Sequence, residues 1–376
     1  MLGLYVHIPF CARRCPYCDF AVHVGAGQSF VADYVTALQN ELKNVLRENR
    51  LPIATIFFGG GTPTALPPKV LADLLQLIRD HANVLPSAEI SIEGNPENAS
   101  DELFETLRQS GWNRLSLGAQ SFDDAALKQI GRVHNSAQIE YSMAAARRAG
   151  FDNISLDLMF ALPQQSRQSW RETLRRAIDL EPEHLSCYSL TIEPDTHFAR
   201  RVEEGRLIPL DDGSQADLME DALEWAQAAG IERYEVSNYA RRGRECAHNL
   251  NYWRGGDYLS AGCGAHGHKA GHRWWNERDA KIYVQQMQTL GNARAGEERL
   301  TPEQRFNEIV MLGLRLREGL DLEHASRKLG LDAHRVLESA LKDLRSRGVL
   351  LEDGDCLKLQ PQAMALADGI AARLMV

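Results

Sequence analysis

An α/β fold on a largely parallel sheet is predicted by two features of this 376-residue chain. Short apolar, β-branched runs recur six times over residues 4–230, and amphipathic helical patterns fill the gaps between them. A third feature, a change of texture after about residue 240 and a return to helical periodicity at Thr301, marks a bridging segment and a smaller C-terminal unit.

The first run, LYVHI (4–8), leads directly into a cysteine-rich loop, and Phe30, Tyr34, Leu38, Leu42 and Val45 then lie on one helical face. TIFFG (55–59) is the second strand, followed by a helix carrying Val70, Leu71, Leu74, Leu75 and Ile78. EISIEG (89–94), RLSLGAQ (114–120), NISLDLMF (153–160) and HLSCYSLTI (184–192) complete the set. Parallel strands with right-handed helical crossovers make either an open doubly wound sheet or a full or partial TIM-like barrel, and no internal repeat decides between them. Either way, ligands sit at the C-terminal ends of the strands. CAHNLNYWRGGDYLSAGCGAHGHKAGHRWWNERD, rich in Gly, His and aromatics, reads as a functional loop region over the barrel. Beyond it, TPEQ opens a helix with a capping-box pattern. DAHRVLESALKDLRSRG, a VLLEDGDCLKL hairpin and a last helix follow in winged-helix-like order. The expected units are residues 1–235, 236–300 and 301–376.

Composition narrows the function. A 44% hydrophobic, 25% charged chain of net charge −9 offers no overall attraction to nucleic acid or anionic membranes. Residues 301–376 hold 11 Lys+Arg against 12 Asp+Glu, so the winged-helix-like unit lacks a phosphate-binding face. No run reaches 18 apolar residues and MLGLYVHIPFC has no leader pattern, so a cytoplasmic protein, not integral to a membrane, is expected. Seven cysteines, an odd number with three inside eight positions, argue for metal ligation in a reducing compartment. The scattered Cys187, Cys246, Cys263 and Cys356 read as mostly buried or inert.

Cys11, Cys15 and Cys18 in CARRCPYC are spaced to hold three irons of a [4Fe-4S] cluster and leave the fourth open. A zinc site completed by His7 or His23 is the competing reading of the cysteines alone. FFGGGTPT (57–64) places bare backbone at the end of the second strand, where a ligand can come close. Glu93, Gln120, Arg132 and Asp157 occupy or follow strands three to five. Their chemistry suits a zwitterionic nucleoside: carboxylates accept from ammonium and ribose hydroxyls, and arginine pairs with a carboxylate. Tyr5 and His7, two apart on one strand, share a face.

With C-x3-C-x2-C and Tyr17 before the third cysteine, the chain resembles the radical S-adenosylmethionine (SAM) superfamily over essentially its full length. Within it, the chain resembles the branch that contains oxygen-independent coproporphyrinogen III oxidase and the HemW-type heme chaperones. The resemblance implies a partial (β/α)6 TIM-like barrel, a [4Fe-4S] cluster on Cys11, Cys15 and Cys18, and SAM contacts from Tyr5, Gly60, Gly61, Thr62, Glu93, Gln120, Arg132 and Asp157. It also implies that His7 faces the substrate pocket. The oxidases of this branch carry a further cysteine two positions after the third cluster cysteine and an N-terminal extension. Here Phe20 stands at that position, and ten residues precede Cys11.

HNLNYWR (248–254) matches the HNxxYW motif of the chaperone branch, which implies His248 as axial ligand to heme iron and Tyr252 and Trp253 as pocket walls. Cys246 is the thiolate alternative. His266, His268 and His272 fit no standard ligand set, and at most one is expected to be functional. The expectation is a heme chaperone that hands heme to acceptors such as respiratory cytochromes or heme-storage proteins, with a homodimer when the cluster is loaded. The alternative is a coproporphyrinogen III oxidase, in which reductive SAM cleavage gives a 5′-deoxyadenosyl radical that starts propionate decarboxylation. A zinc-stabilised interaction protein would explain the cysteines but not Gly60, Gly61, Glu93 or Asp157.

Overall fold

A computed structural model describes residues 1–49 and 51–375. Its centre is a run of six parallel strands: β1 (Leu2–Ile8), β2 (Ile53–Gly60), β3 (Val84–Gly94), β4 (Arg114–Gln120), β5 (Ile154–Phe160) and β6 (His184–Ser189). The order in space is the order in sequence. Helices α1 (Gln28–Arg47), α2 (Pro68–His81), α3 (Asp101–Ser110), α4 (Ser136–Arg148) and α5 (Arg167–Asp179) provide the crossovers. This is the partial barrel rather than a doubly wound sheet, whose strand order would reverse at a switch point.

Alternation along each strand divides the chemistry. Leu4, Val6 and Ile8 are fully buried and belong to the main core with Tyr34, Leu38 and Leu42 of α1, leaving Tyr5 and His7 on the opposite, inner face. Register then fixes which inner residues meet: Tyr5 pairs with Phe57, Phe57 with Ser91, Glu93 with Ser116, and Asp157 with Ser186.

The segment expected to be a loop region is instead rich in strands. After α6 (Asp212–Ala228), β7 (Glu232–Arg233) and β8 (Asn238–Ala240) close one edge against β6. After α7 (Ala247–Trp253), β9 (Asp257–Ala261) lies parallel to β1, and β10 (His266–Lys269), β11 (His272–Asn276) and β12 (Arg294–Arg299) extend that edge in antiparallel fashion. One 12-stranded sheet results. The hairpin between β10 and β11 turns on Ala270 and Gly271, both at positive φ (52° and 81°). Such a turn normally advertises itself with Asn or Asp before Gly, and alanine there conceals it.

Past α8 (Ala280–Leu290), a second hydrophobic cluster begins at Phe306. It joins α9 (Pro302–Gly313), β13 (Leu320–Asp321), α10 (Leu322–Leu329), α11 (Ala333–Ser346), β14 (Leu350–Asp353), β15 (Cys356–Leu359) and α12 (Ala367–Leu374). The three strands pair in the order β13-β15-β14 beside the helices, the arrangement of a wing. Arg254 with Glu318, Lys328 with the Gly255 carbonyl, and Arg233 with the Pro361 carbonyl tie this unit to the barrel.

Candidate functional site

Two cavities meet at the loop that follows β1. That loop is closed by a two-residue ladder in which Phe10 and Cys11 run beside His23 and Val24, and by a 2.7 Å bond from the His23 amide to the Pro9 carbonyl. Cys11, Cys15 and Cys18 are half-buried free thiols inside it. Burial pushes the Cys11 thiol up to about 11, opposed by Thr62, whose hydroxyl lies 3.6 Å from the sulfur. Neither histidine of the zinc reading is offered to these thiols. The His7 ring is held by Tyr5 and the Ala21 carbonyl, and the His23 ring packs on Phe30 at 4.7 Å. Among the described residues, no three His, Cys, Asp or Glu side chains converge as they would around one metal ion.

The smaller cavity, about 580 Å³, is lined by all three thiols together with Gly60, Gly61, Thr62, Glu93, Gln120, Arg132 and Asp157. Seven of the eight residues expected to contact SAM therefore share one space. Glu93 accepts from the Gly60 amide at 3.1 Å, and burial, with Asp157 as a second cause, pushes its carboxyl up to about 8. Asp157 is likewise raised by burial, and it accepts from Ser116 and Ser155 at 3.0 Å. Arg132 donates to the Gly118 carbonyl and to Asn95, while its buried Nε has no partner. A buried donor left unpaired in a cavity that also holds two carboxyls is costly in an empty protein and useful to a polar ligand. Gln120 sits at φ +64°, a strained conformation for a residue with a side chain, where β4 ends in this cavity.

The glycines answer to the chain as well as to a ligand. A Cβ on Gly60 (φ +115°) would fall 2.4 Å from the His7 ring, and one on Gly61 would fall 2.6 Å from the Pro9 carbonyl. Bare backbone there lets β2 close on the end of β1. Sequence reasoning passed over Asn95 and Ser116, which also line the cavity. Asn95 donates to the Thr62 hydroxyl at 2.8 Å and accepts from Arg132. Its position two residues after Glu93 on the same strand end was the available signal.

Tyr5 departs from its expected place. It lines the larger cavity, about 920 Å³, and its hydroxyl donates to His7 Nδ1 at 3.0 Å. Inner-face alternation sets it beside His7, with its ring over Gly59 at the start of the glycine run. His7 Nε2 donates to the Ala21 carbonyl at 2.8 Å, and burial lowers its pKa to about 4, so the ring is neutral. Tyr252, Tyr258, His266, His268, Arg273, Trp275 and Arg278 add to this cavity's wall, and Met311 and Leu312 of α9 line it from the C-terminal unit. Asp19 and Phe20 line both cavities. Phe20, the residue in place of a fourth cysteine, is 67% exposed and stands at the partition.

The HNLNYW segment forms α7, and only one of its three candidates reaches a cavity. The helix starts where it does because Glu89 accepts from the amides of Ala247 (2.9 Å) and His248 (3.1 Å), a carboxylate on a helix N-terminus. His248, expected as a heme ligand, is fully buried beneath the cavity floor. Thr55 bonds its Nδ1 at 2.8 Å, Tyr252 bonds its Nε2 at 2.8 Å, and Phe57 stacks at 5.3 Å. Burial lowers its pKa to about 3. With both nitrogens bonded and no exposed edge, the ring in this conformation presents no free ligand atom. Tyr252, one turn on, faces the larger cavity, whereas Trp253 packs under the Arg315 guanidinium at 5.5 Å, away from it. Cys246 is fully buried against Glu89, and burial pushes its thiol up to about 12, which removes the thiolate alternative from this conformation. Of the other histidines, His272 pairs with Glu297 outside both cavities.

Comparison with known proteins agrees with this geometry. The family model of the Radical SAM superfamily matches residues 5–177, and that of the HemN C-terminal domain matches residues 300–366. The structure of coproporphyrinogen III oxidase from Escherichia coli, described as a radical SAM enzyme, superposes with a TM-score of 0.88 at 25% identity, covering 100% of this chain and 90% of that one. The heme chaperone HemW of Bacillus subtilis is 36% identical over 374 residues, 98% of each chain. HemW of Mycobacterium tuberculosis is 37% identical over 376 residues, covering 99% of this chain and 94% of its own. That of Escherichia coli is 43% identical over 267 residues, covering 71% and 70%. The chain belongs to the radical SAM superfamily and, within it, to the HemW heme chaperone family.

Proposed function

We propose that the protein is a heme chaperone, which binds heme in the larger cavity and passes it to acceptor hemoproteins such as respiratory cytochromes or heme-storage proteins. The observation that carries this reading is the aromatic cavity of about 920 Å³ that shares Asp19 and Phe20 with the thiol-lined one. Its volume lies within the roughly 300–1,000 Å³ of cofactor sites. Tyr5, Phe20, Tyr252, Tyr258 and Trp275 suit the faces of a porphyrin, and Arg273 and Arg278 suit its carboxylates. Full-length relatives that bear the name heme chaperone support it.

Radical SAM membership implies a [4Fe-4S] cluster and SAM, which supply a one-electron donor against a sulfonium. Three free thiols in one cavity with Glu93, Arg132 and Asp157 fit that pair. In this reading Cys11, Cys15 and Cys18 hold three irons. Glu93 and Asp157 accept from the SAM ammonium or ribose hydroxyls, Arg132 donates from its unpaired Nε, and Gly60, Gly61, Thr62 and Gln120 shape the wall. Residues 1–235, 236–300 and 301–376 then act as cluster unit, cargo wall and lid. Among the described residues no helix is long and apolar enough to cross a membrane. A cytoplasmic location and a homodimer of the loaded form belong to the same reading.

The oxidase reading uses the same cluster and SAM residues, and the likeness to the Escherichia coli enzyme favours it. Phe20, standing where that reading requires a cysteine, argues against it. One anaerobic experiment separates the two: with the cluster reconstituted and SAM and reductant present, hemin binding and coproporphyrinogen III conversion are measured on one preparation. Stoichiometric hemin binding without turnover is the expected result, and turnover would refute a chaperone-only function.

A further inference from the structure

Three histidines line the larger cavity, and they differ in what their rings are free to do. His7 has both nitrogens committed, to Tyr5 and to the Ala21 carbonyl. His268 is likewise committed: its Nδ1 donates to the Gly256 carbonyl at 3.2 Å and its Nε2 accepts from the Gly271 amide at 3.2 Å. His266, at the start of β10, finds no hydrogen-bond partner for either nitrogen among the described residues. Its ring contact is a stack on Trp275, its cross-strand neighbour, with 6.0 Å between centroids and 24° between planes.

From this cavity and this unpaired ring we propose, within the heme-chaperone reading, that His266 is the axial ligand through which the larger cavity holds heme iron. An axial imidazole must be neutral, carry a free lone pair and be held at a fixed angle. His266 is exposed and lines the cavity, so its unbonded nitrogens are open to a ligand there. The Trp275 stack fixes the ring plane. The two arginines sit on the same wall, Arg278 bonded to Asp19 of the cluster loop and Arg273 paired with Glu308 of α9. Both can exchange those carboxylates for the propionates of an iron-bound porphyrin. His248 then has a positioning role: bonded to Tyr252, it sets that phenol in the cavity wall.

The test titrates hemin into full-length, cluster-reconstituted protein and reads the Soret band and the low-temperature EPR of the ferric complex. Wild type is expected to show an imidazole-ligated heme. His266→Ala is expected to lose that signature with a roughly 10- to 100-fold weaker Kd. It should recover the wild-type spectrum when free imidazole is added, which a merely unfolded variant would not do. His248→Ala is expected to keep the imidazole signature. A wild-type spectrum and Kd in His266→Ala overturn the ligand assignment while leaving heme binding intact. Failure of the wild type to bind hemin overturns the chaperone reading itself.

Discussion

Replacing Glu93 with glutamine tests the electrostatics of the smaller cavity. Its carboxyl is largely buried in the cavity wall and held at about 8, against an ordinary value of 4.5. Below pH 4.5 it is protonated in folded and unfolded chains alike and contributes no pH dependence. Above that, the unfolded chain releases the proton while the folded chain keeps it, so stability falls with rising pH at up to about 1.4 kcal/mol per unit until the folded group also ionises. Over the whole interval the loss reaches an upper bound of about 5 kcal/mol. Half of that window lies between pH 6 and 8, where urea midpoints can be followed on ligand-free protein. Glu235, pushed up to about 7 by burial, adds a slope of its own. The wild type minus Glu93→Gln difference cancels that contribution. Glu93→Gln should overtake wild type progressively as pH rises, by about 2 kcal/mol at pH 8 relative to pH 6. Parallel stability curves for the two proteins would refute the assignment of a protonated Glu93. SAM should also displace this proton, because its ammonium favours the carboxylate. Calorimetry in buffers of different ionisation enthalpy should register proton release in wild type and none in Glu93→Gln.

Gly60→Ala forces a side chain into positive φ against the His7 ring and should lower stability by about 2 kcal/mol or more, read by chemical denaturation. Glu41→Ala removes the buried acceptor shared by the Gly262 amide, Asn276 and Tyr283, at a cost of about 3 kcal/mol. It should also weaken hemin binding, since Asn276 lines the larger cavity. Phe20→Ala, at an exposed position, should change stability by less than about 0.5 kcal/mol. It should open the partition, weakening hemin binding while the cluster absorbance stays at wild-type level. His248→Ala should cost about 2–3 kcal/mol by stranding Thr55 and leaving a void beside Phe57.

Most of the barrel and of the smaller cavity was legible because each rests on local pattern. Six apolar runs and their intervening helical faces became β1 to β6 and their crossovers, and the residues after the strands became the lining. The larger cavity was not legible in the same way, because its wall is made by strand pairing across long sequence separations. Tyr258 faces His268, and His266 faces Trp275, only once Ala270 and Gly271 turn the chain. HNLNYW misled for a related reason. The motif signals a histidine and a tyrosine on one helical face but not which way that face points, and Thr55 and Glu89, on separate strands, turn His248 inward. Gly3 makes room for it, since a Cβ there would sit 3.0 Å from the ring.

Asp19 and Phe20 belong to both cavities, so in the heme-chaperone reading the two occupants share a wall. Any displacement of these side chains that one ligand induces alters the seat of the other, and the coupling runs equally in both directions. If SAM tightens hemin binding by some factor, hemin must tighten SAM by the same factor, whichever arrives first. In that reading a single loop of chain links cargo loading to nucleoside occupancy through the wall that Phe20 shares.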